Sequence, residues 1–298
     1  MSLTRRQFLG RLLGAGAGLG VLTGGLGAAQ AYGQAQINTM RTSLPGLQRP
    51  LRVALLADLH YGRFIGVRQV RRWVDQTLST RPDLILLLGD LLDVDLSRQT
   101  PTAFLDELGR LKAPLGVYGV WGNHDYGSFG RLESGDVPGW PEQRTRLSAE
   151  LSRRGLTILL NEGRPVRGDL YLGGVDDAWW GTPDAASAFR DAPVGAARLL
   201  LSHNPDYLMR LAPDYGLMLC GHTHGGQIRL PGIGAPIVPS AYGQRFAQGW
   251  IQGDGPDSGG VDSRGGARGL VSRGLGVSGL PLRNLCPSEL IVLELSPA

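Results

Sequence analysis

The chain has 298 residues, of which 42% are hydrophobic and 19% charged, a balance that excludes a disordered chain and suits one large or two small globular domains. The formal charge of +4 owes three units to Arg5, Arg6 and Arg11; beyond the first 31 residues, 27 basic face 26 acidic residues, which excludes a global charge signal for nucleic acid. Two cysteines, Cys220 and Cys286, are too few for a disulfide framework, match no zinc motif and read as small buried residues.

The N-terminus reads as an address. Thr4-Arg5-Arg6-Gln7-Phe8-Leu9 opens it, an apolar Gly/Ala-rich stretch comes next, and Ala29-Gln30-Ala31 supplies a small-x-small cleavage pattern. The arginine pair and weakly hydrophobic middle resemble a twin-arginine (Tat) signal over residues 1–31. This predicts export to the periplasm, cell wall or exterior, with the Tat translocase as transient partner. If the signal is uncleaved, it predicts a membrane anchor. Residues 32–50 read as a polar linker, and 51–298 as the functional domain.

Within that domain, Leu51 to Ala57 is a short apolar run of buried-strand type. Val67, Val70, Trp73, Val74, Thr77 and Leu78 recur at helical spacing, and Arg81-Pro82 should end that helix. Leu84 to Leu88 and Val117 to Trp121 are further strands, separated by a helix over 101–112 that Thr100 and Pro101 open. An arginine-rich amphipathic helix is predicted over 140–154. Later strands are expected at 156–160, 170–175, 198–202, 217–220, 226–230, 269–273 and 289–295, with a short helix over 204–212. Residues 252–269 are Gly-, Asp- and Ser-rich and read as a mobile surface loop. The alternation of strand and helix in the first half argues a parallel sheet with crossovers.

The residues at the end of each apolar run carry the chemistry. Asp58 and His60 come after the first run, Asp90 after the second, and Asn123, His124 and Asp125 after the third. His203 comes after Ser202, and His222 and His224 after Gly221. In open α/β sheets, ligands bind outside the carboxyl ends of strands. All five histidines of the chain sit at such ends. In Asp58-x-His60 and His222-x-His224, alternate residues put both side chains on one side of an extended backbone. Imidazole and carboxylate without thiolate suit two divalent ions, Mn²⁺, Fe²⁺/Fe³⁺ or Zn²⁺, better than Ca²⁺ or a closed structural zinc site. Seven candidate ligands exceed one tetrahedral ion, and two ions sharing Asp90 would use them all. Gly89, Gly122 and Gly221, each just before a ligand, suggest close backbone approach.

Together Asp58-Leu-His60, Gly89-Asp90, Gly122-Asn123-His124-Asp125, His203 and Gly221-His222-Thr-His224 resemble the calcineurin-like metallophosphoesterase superfamily, across residues 51 to 297. The strings Leu219 to Gln227 and Asn284 to Glu289 are similar to an exported or membrane-tethered bacterial branch related to UDP-2,3-diacylglucosamine diphosphatase. The resemblance implies an α/β fold, a four-layer α/β/β/α sandwich. It implies one metal on Asp58, His60, Asp90 and His224, and a second on Asp90, Asn123, His203 and His222. His124 would be the general acid, oriented by Asp125, and Asn123 would also contact substrate; Arg283, close to the branch-like segment, would either fork onto a phosphate or nucleotide oxygen or stand as an ordinary surface arginine. The activity implied is hydrolysis of phosphomonoesters or phosphodiesters by a two-metal-activated hydroxide. The alternatives are a diphosphatase acting on a nucleotide-sugar lipid in lipid A metabolism and a metal-binding module without catalysis.

Overall fold

The computed structural model describes residues 27–93, 100–127, 140–254 and 266–298. The arginine pair and most of the apolar leader lie outside these residues, as does most of the loop expected over 252–269.

Two six-stranded sheets form the centre. The first contains β1 (Gln36–Leu44), β2 (Leu51–Leu56), β4 (Leu84–Leu88), β6 (Val117–Val120), β7 (Leu156–Ile158) and β14 (Glu289–Pro297), in the order β1-β14-β2-β4-β6-β7. Strands β2, β4, β6 and β7 run parallel, and β14 is antiparallel to β2. The second contains β8 (Glu162–Arg167), β9 (Leu170–Gly174), β10 (Ala197–Leu201), β11 (Leu217–Cys220), β12 (Gly249–Gln252) and β13 (Arg268–Val271), in the order β12-β13-β11-β10-β9-β8. A small ribbon pairs β3 (Tyr61–Gly62) with β5 (Leu92–Asp93).

The apolar runs are continuous because their strands are buried on both faces. Val53, Leu55, Leu84, Leu86 and Leu88 point between the sheets, onto Leu172, Leu199, Leu201 and Leu219. The alternate residues Ala54, Leu56, Ile85 and Leu87 point outward and meet α1 (Val67–Ser79), α2 (Thr102–Leu108) and α3 (Trp140–Arg153). Gly66 gives α1 no side-chain cap, so its buried stripe of Val70, Trp73, Val74 and Thr77 holds it in place. The outer face of the second sheet is covered by α4 (Ala185–Ala188) and the turns around Tyr207 and Phe246. This is the four-layer α/β/β/α arrangement expected.

Three local expectations differ. Gln36–Leu44, read as linker, forms β1, which pairs parallel to β14 along nine residues. The strand expected over 226–230 is a loop, since Gly225, Gly226 and Gln227 all have φ between 55° and 82°. The helix expected over 204–212 is a 3₁₀ turn, Pro205–Arg210. Residues 27–32, which include Ala29-Gln30-Ala31, are helical and packed under the C-terminal segment. There the Gln30 carbonyl accepts the Ser288 N–H at 3.1 Å, and Ala31 is buried. Among the described residues no helix is long and apolar enough to cross a membrane.

Candidate metal centre

Five parallel strands, three from one sheet and two from the other, deliver polar side chains to one edge. Strand β2 leads to Asp58 and His60, β4 to Asp90, β6 to Asn123 and His124, β10 to His203, and β11 to His222 and His224. All eight side chains are buried. The backbone turns sharply to place them: Asp58, His60, Asp90, His222 and His224 have φ of 53°, 47°, 51°, 72° and 52°. Left-handed backbone costs about 1–3 kcal/mol at a non-glycine residue and persists where surroundings over-determine it. Here they do. The Asp58 N–H donates to Gly89 O and that of His60 to Asp90 O. The His222 N–H donates to Asp58 Oδ1 at 2.9 Å. Gly122 is required by approach, because a Cβ there would lie 2.3 Å from Asp90 Oδ1.

Of the three groups the structure gathers among the described residues, one joins His60 to Asp93 and His124, and the other two share Asp90. Asp58, His60, Asp90 and His224 form the first, and Asp90, His203 and His222 the second, with the ligand atoms within each group all inside 4.8 Å of one another. Asp90 Oδ2 lies 3.5 Å from His60 Nε2 and 3.2 Å from His203 Nε2. Asn123 Oδ1 and His222 Nδ1 each lie 3.2 Å from His203 Nε2. The His203 proton can be placed: Nδ1 sits 2.7 Å from the Leu88 carbonyl, which can only accept, so Nε2 is the nitrogen turned toward the cluster.

These residues fit a pair of divalent cations. His60 Nε2 and His224 Nε2 face each other at 2.9 Å, a convergence of lone pairs. Asp58 Oδ2, His60 Nδ1 and His222 Nε2 are buried with no hydrogen-bond partner. Electrostatics give the same reading. Burial pushes Asp58 up to about 7, an effect His203 partly offsets. Burial opposes charge on His203 as well, yet Asp90, Asp58 and Asp177 push it up to about 10. The carboxylates thus demand positive charge at the atoms a metal would occupy. Burial, aided by His124, brings His60 down to about 3, which keeps its lone pair available.

His124 stands beside the first group, its ring edge-on to His60 with centroids 4.5 Å apart. Its orienting carboxylate is a correction to the sequence reading. Asp93 Oδ1 lies 3.1 Å from His124 Nδ1. Asp125 instead accepts the backbone N–H groups of Leu91, Leu92 and Gly122. It closes the turn at Asn123–Tyr126, and its charge is the last of the contributions that raise His124. Burial would lower the His124 pKa, but Asp90 and Asp93 outweigh it and the net shift is upward.

Arg283 is the second correction. It is 0% exposed and cannot reach a substrate phosphate directly. Its guanidinium donates to the carbonyls of Gly276 at 2.6 Å, Arg273 at 2.8 Å, Gly274 at 3.1 Å and Cys286 at 3.2 Å. Its Nη2 lies 3.3 Å from His224 Nδ1, so it braces the wall behind that ligand. Both cysteines are free and buried. Trp179, which no sequence signal marked, sets its ring edge-on to His222 with centroids 4.3 Å apart.

The family model described as calcineurin-like phosphoesterase matches residues 51–226. The chain is 30% identical over 303 residues to the metallophosphoesterase YkuE of Bacillus subtilis, covering 98% of each. It is 35% identical to the phosphodiesterase YaeI of Escherichia coli, over 64% of this chain and 66% of that one. A transmembrane protein with a metallophosphoesterase domain from Danio rerio is 32% identical over 62% of this chain and 43% of its own.

Proposed function

The chain belongs to the calcineurin-like phosphoesterase family, and from that premise we propose that it is a phosphodiesterase working at a two-metal centre. The observation that carries this is Asp90 Oδ2, placed between the imidazoles of His60 and His203, each of which belongs to a separate ligand group. Asp58, His60, Asp90 and His224 would hold one divalent ion, and Asp90, Asn123, His203 and His222 the other. Bound there, the ions supply Lewis acidity, which makes water nucleophilic near neutral pH and draws charge from phosphoryl oxygens.

The chain's own residues orient the substrate and move the proton. His124 lines the cavity over the cluster. With Nδ1 held by Asp93, its Nε2 is the nitrogen left to protonate the departing oxygen. The upward shift of His124 favours the imidazolium that this role needs. Trp179 and His222 wall the same cavity and limit water on that side.

The test is turnover of bis-p-nitrophenyl phosphate by chelator-stripped protein given Mn²⁺, Fe²⁺ or Zn²⁺. Metal-dependent release of p-nitrophenol is expected. A protein that binds two ions yet cleaves no phosphate ester would leave only a metal-binding module. A second reading, cleavage of the diphosphate of an acylated nucleotide sugar, draws support from the apolar cavity wall of Ile228, Ile237 and Leu280. Release of a nucleoside monophosphate from such a substrate would separate it from the first. Export is proposed from the leader sequence alone, and Arg5→Lys with Arg6→Lys should hold the precursor in the cytoplasm. Normal export of that variant would exclude the twin-arginine route.

A further inference from the structure

We propose that the apolar rim beside the metal centre is a membrane-docking surface that brings the site to phosphate esters carried on lipids. The second half of this rests on the phosphoesterase reading, while the docking itself does not.

A cavity of about 530 Å³ opens over the cluster. Asn123 and His124 line it at the cluster, and Ile228, Ile237 and Leu280 form an apolar wall. On and beyond the wall the same two segments present large apolar side chains to solvent. Ile233 is 63% exposed, Ile237 79%, Leu280 52% and Leu285 53%. Single exposed hydrophobics are ordinary, but among the described residues half of the ten large ones fall within 228–239 and 278–285. No charged residue occurs from Leu230 to Gln244 or from Gly274 to Leu282.

The rim is built rather than loose. Gln227 joins its two segments, donating to the carbonyls of Ser278 and Leu280 at 3.0 Å each and accepting the Ser278 N–H at 2.9 Å. Gln244 donates to Ile233 O at 2.8 Å and accepts the Ala235 N–H at 3.0 Å. Much of the backbone polarity is therefore satisfied inward, as an apolar phase requires, while side chains such as Ile233 and Ile237 face outward.

The course of the chain selects the occupant. The described residues begin at Gly27, whose carbonyl accepts the Arg283 N–H at 3.1 Å, next to Leu282 at the edge of this rim. The sequence before Gly27 is uncharged back to Leu12. An uncharged leader sequence thus joins the fold beside a rim whose only charged residues are the half-buried Arg229 and the buried Arg283, and one lipid surface accommodates both. Apolar side chains on such a face partition into the interface in proportion to the area they bury.

The experiment uses the full chain, so the leader is constant. Wild type and the double variant Ile233→Asp, Leu285→Asp are compared on two substrates with the same leaving group. One is soluble bis-p-nitrophenyl phosphate, and the other is the p-nitrophenyl ester of phosphatidic acid in phosphatidylcholine vesicles. Neither substituted residue lines the cavity. The double variant should keep the soluble rate within about two-fold and lose at least ten-fold on vesicles, with Ile233→Leu behaving as wild type. An unchanged vesicle rate, or equal losses on both substrates, overturns the proposal. Docking is read separately from chemistry in an Ile233→Trp variant, whose added emission brominated lipids should quench. A Val194→Trp variant, at a fully exposed site before the start of β10 and so at the opposite end of that strand from His203, should be spared. Quenching without turnover would fault the phosphoesterase reading alone. No quenching at 233, or a dimer by light scattering that buries the rim, would assign the face to the leader or to a second copy.

Discussion

Asp90 Oδ1 accepts the backbone N–H of His124 at 2.8 Å. The carboxylate shared by the two ligand groups therefore also positions the proposed acid. The other oxygen faces the imidazoles of His60 and His203, so one side chain couples both groups to the residue that moves the proton.

Asp90→Asn should lower bound metal and cut kcat by about 10²–10³-fold, the scale of losing a principal electrostatic stabiliser. The amide keeps the shape but not the charge that two cations would share. Metal content by elemental analysis, measured beside the rate, checks it. Two ions retained at full activity would remove Asp90 from the shared position.

His124→Ala should keep both metals and slow turnover by about 10²–10⁴-fold, with the smallest loss for good leaving groups. Asp93→Asn gives a finer reading. Asp93 raises the His124 pKa, and an acid works only while protonated, so activity should fall as pH rises through that pKa. Removing the carboxylate must move this alkaline limb to lower pH while metal content stays constant. A pH–rate profile with an unmoved limb would deny Asp93 its orienting role.

Arg283→Ala should act through stability. Several buried carbonyls lose a charged donor, at about 1–3 kcal/mol for each left unpaired. A fall of at least about 3 kcal/mol in unfolding free energy is expected, with KM unchanged in whatever folded fraction survives. Denaturant unfolding and KM measured on one preparation decide it. A raised KM at unchanged stability would return Arg283 to the substrate.

The candidate ligands were legible in the sequence because doubly buried parallel strands read as unbroken apolar runs, and the first polar residue after such a run marks the sheet edge. Asp58 and Asp90 stand there, and His203 one residue further on, after Ser202. Strand β1 was hidden for the opposite reason. Gln-Ile-Asn-Thr-Met-Arg-Thr-Ser-Leu pairs on one side only, with β14, and its mostly exposed or half-buried residues look like a linker. Asp93 was missed because its meeting with His124 depends on the two-residue β5 ribbon, too short to leave a periodic signal. Arg283 misled because its residue type suggests phosphate, whereas its burial comes from the course of Gly274 to Gly276 around it. The left-handed backbone at five ligands is a tertiary property that no local pattern announces.

Asp169 gives a pH test away from the metal centre. Its carboxylate accepts Arg167 Nε at 2.5 Å and Nη2 at 2.9 Å, and also the Gln48 N–H at 2.7 Å. It thereby ties the segment before β2 to the turn between β8 and β9. The Arg167 hydrogen bonds dominate and hold its pKa down to about 2, against an ordinary value of about 3.9 for aspartate. A depressed carboxylate pKa means that folding favours the ionised form. The contribution is therefore complete above the unfolded value and disappears as pH falls through about 2. At pH 7, Asp169→Asn should cost about 1.5–3 kcal/mol, the range for hydrogen bonds to a charged group. Unfolding of wild type and variant is compared from pH 7 down to pH 2. Protonation of the metal ligands affects both proteins alike and cancels in the difference. The gap should hold to about pH 5 and close below it. A gap that stays constant to pH 2 would mean that Asp169 contributes shape rather than charge.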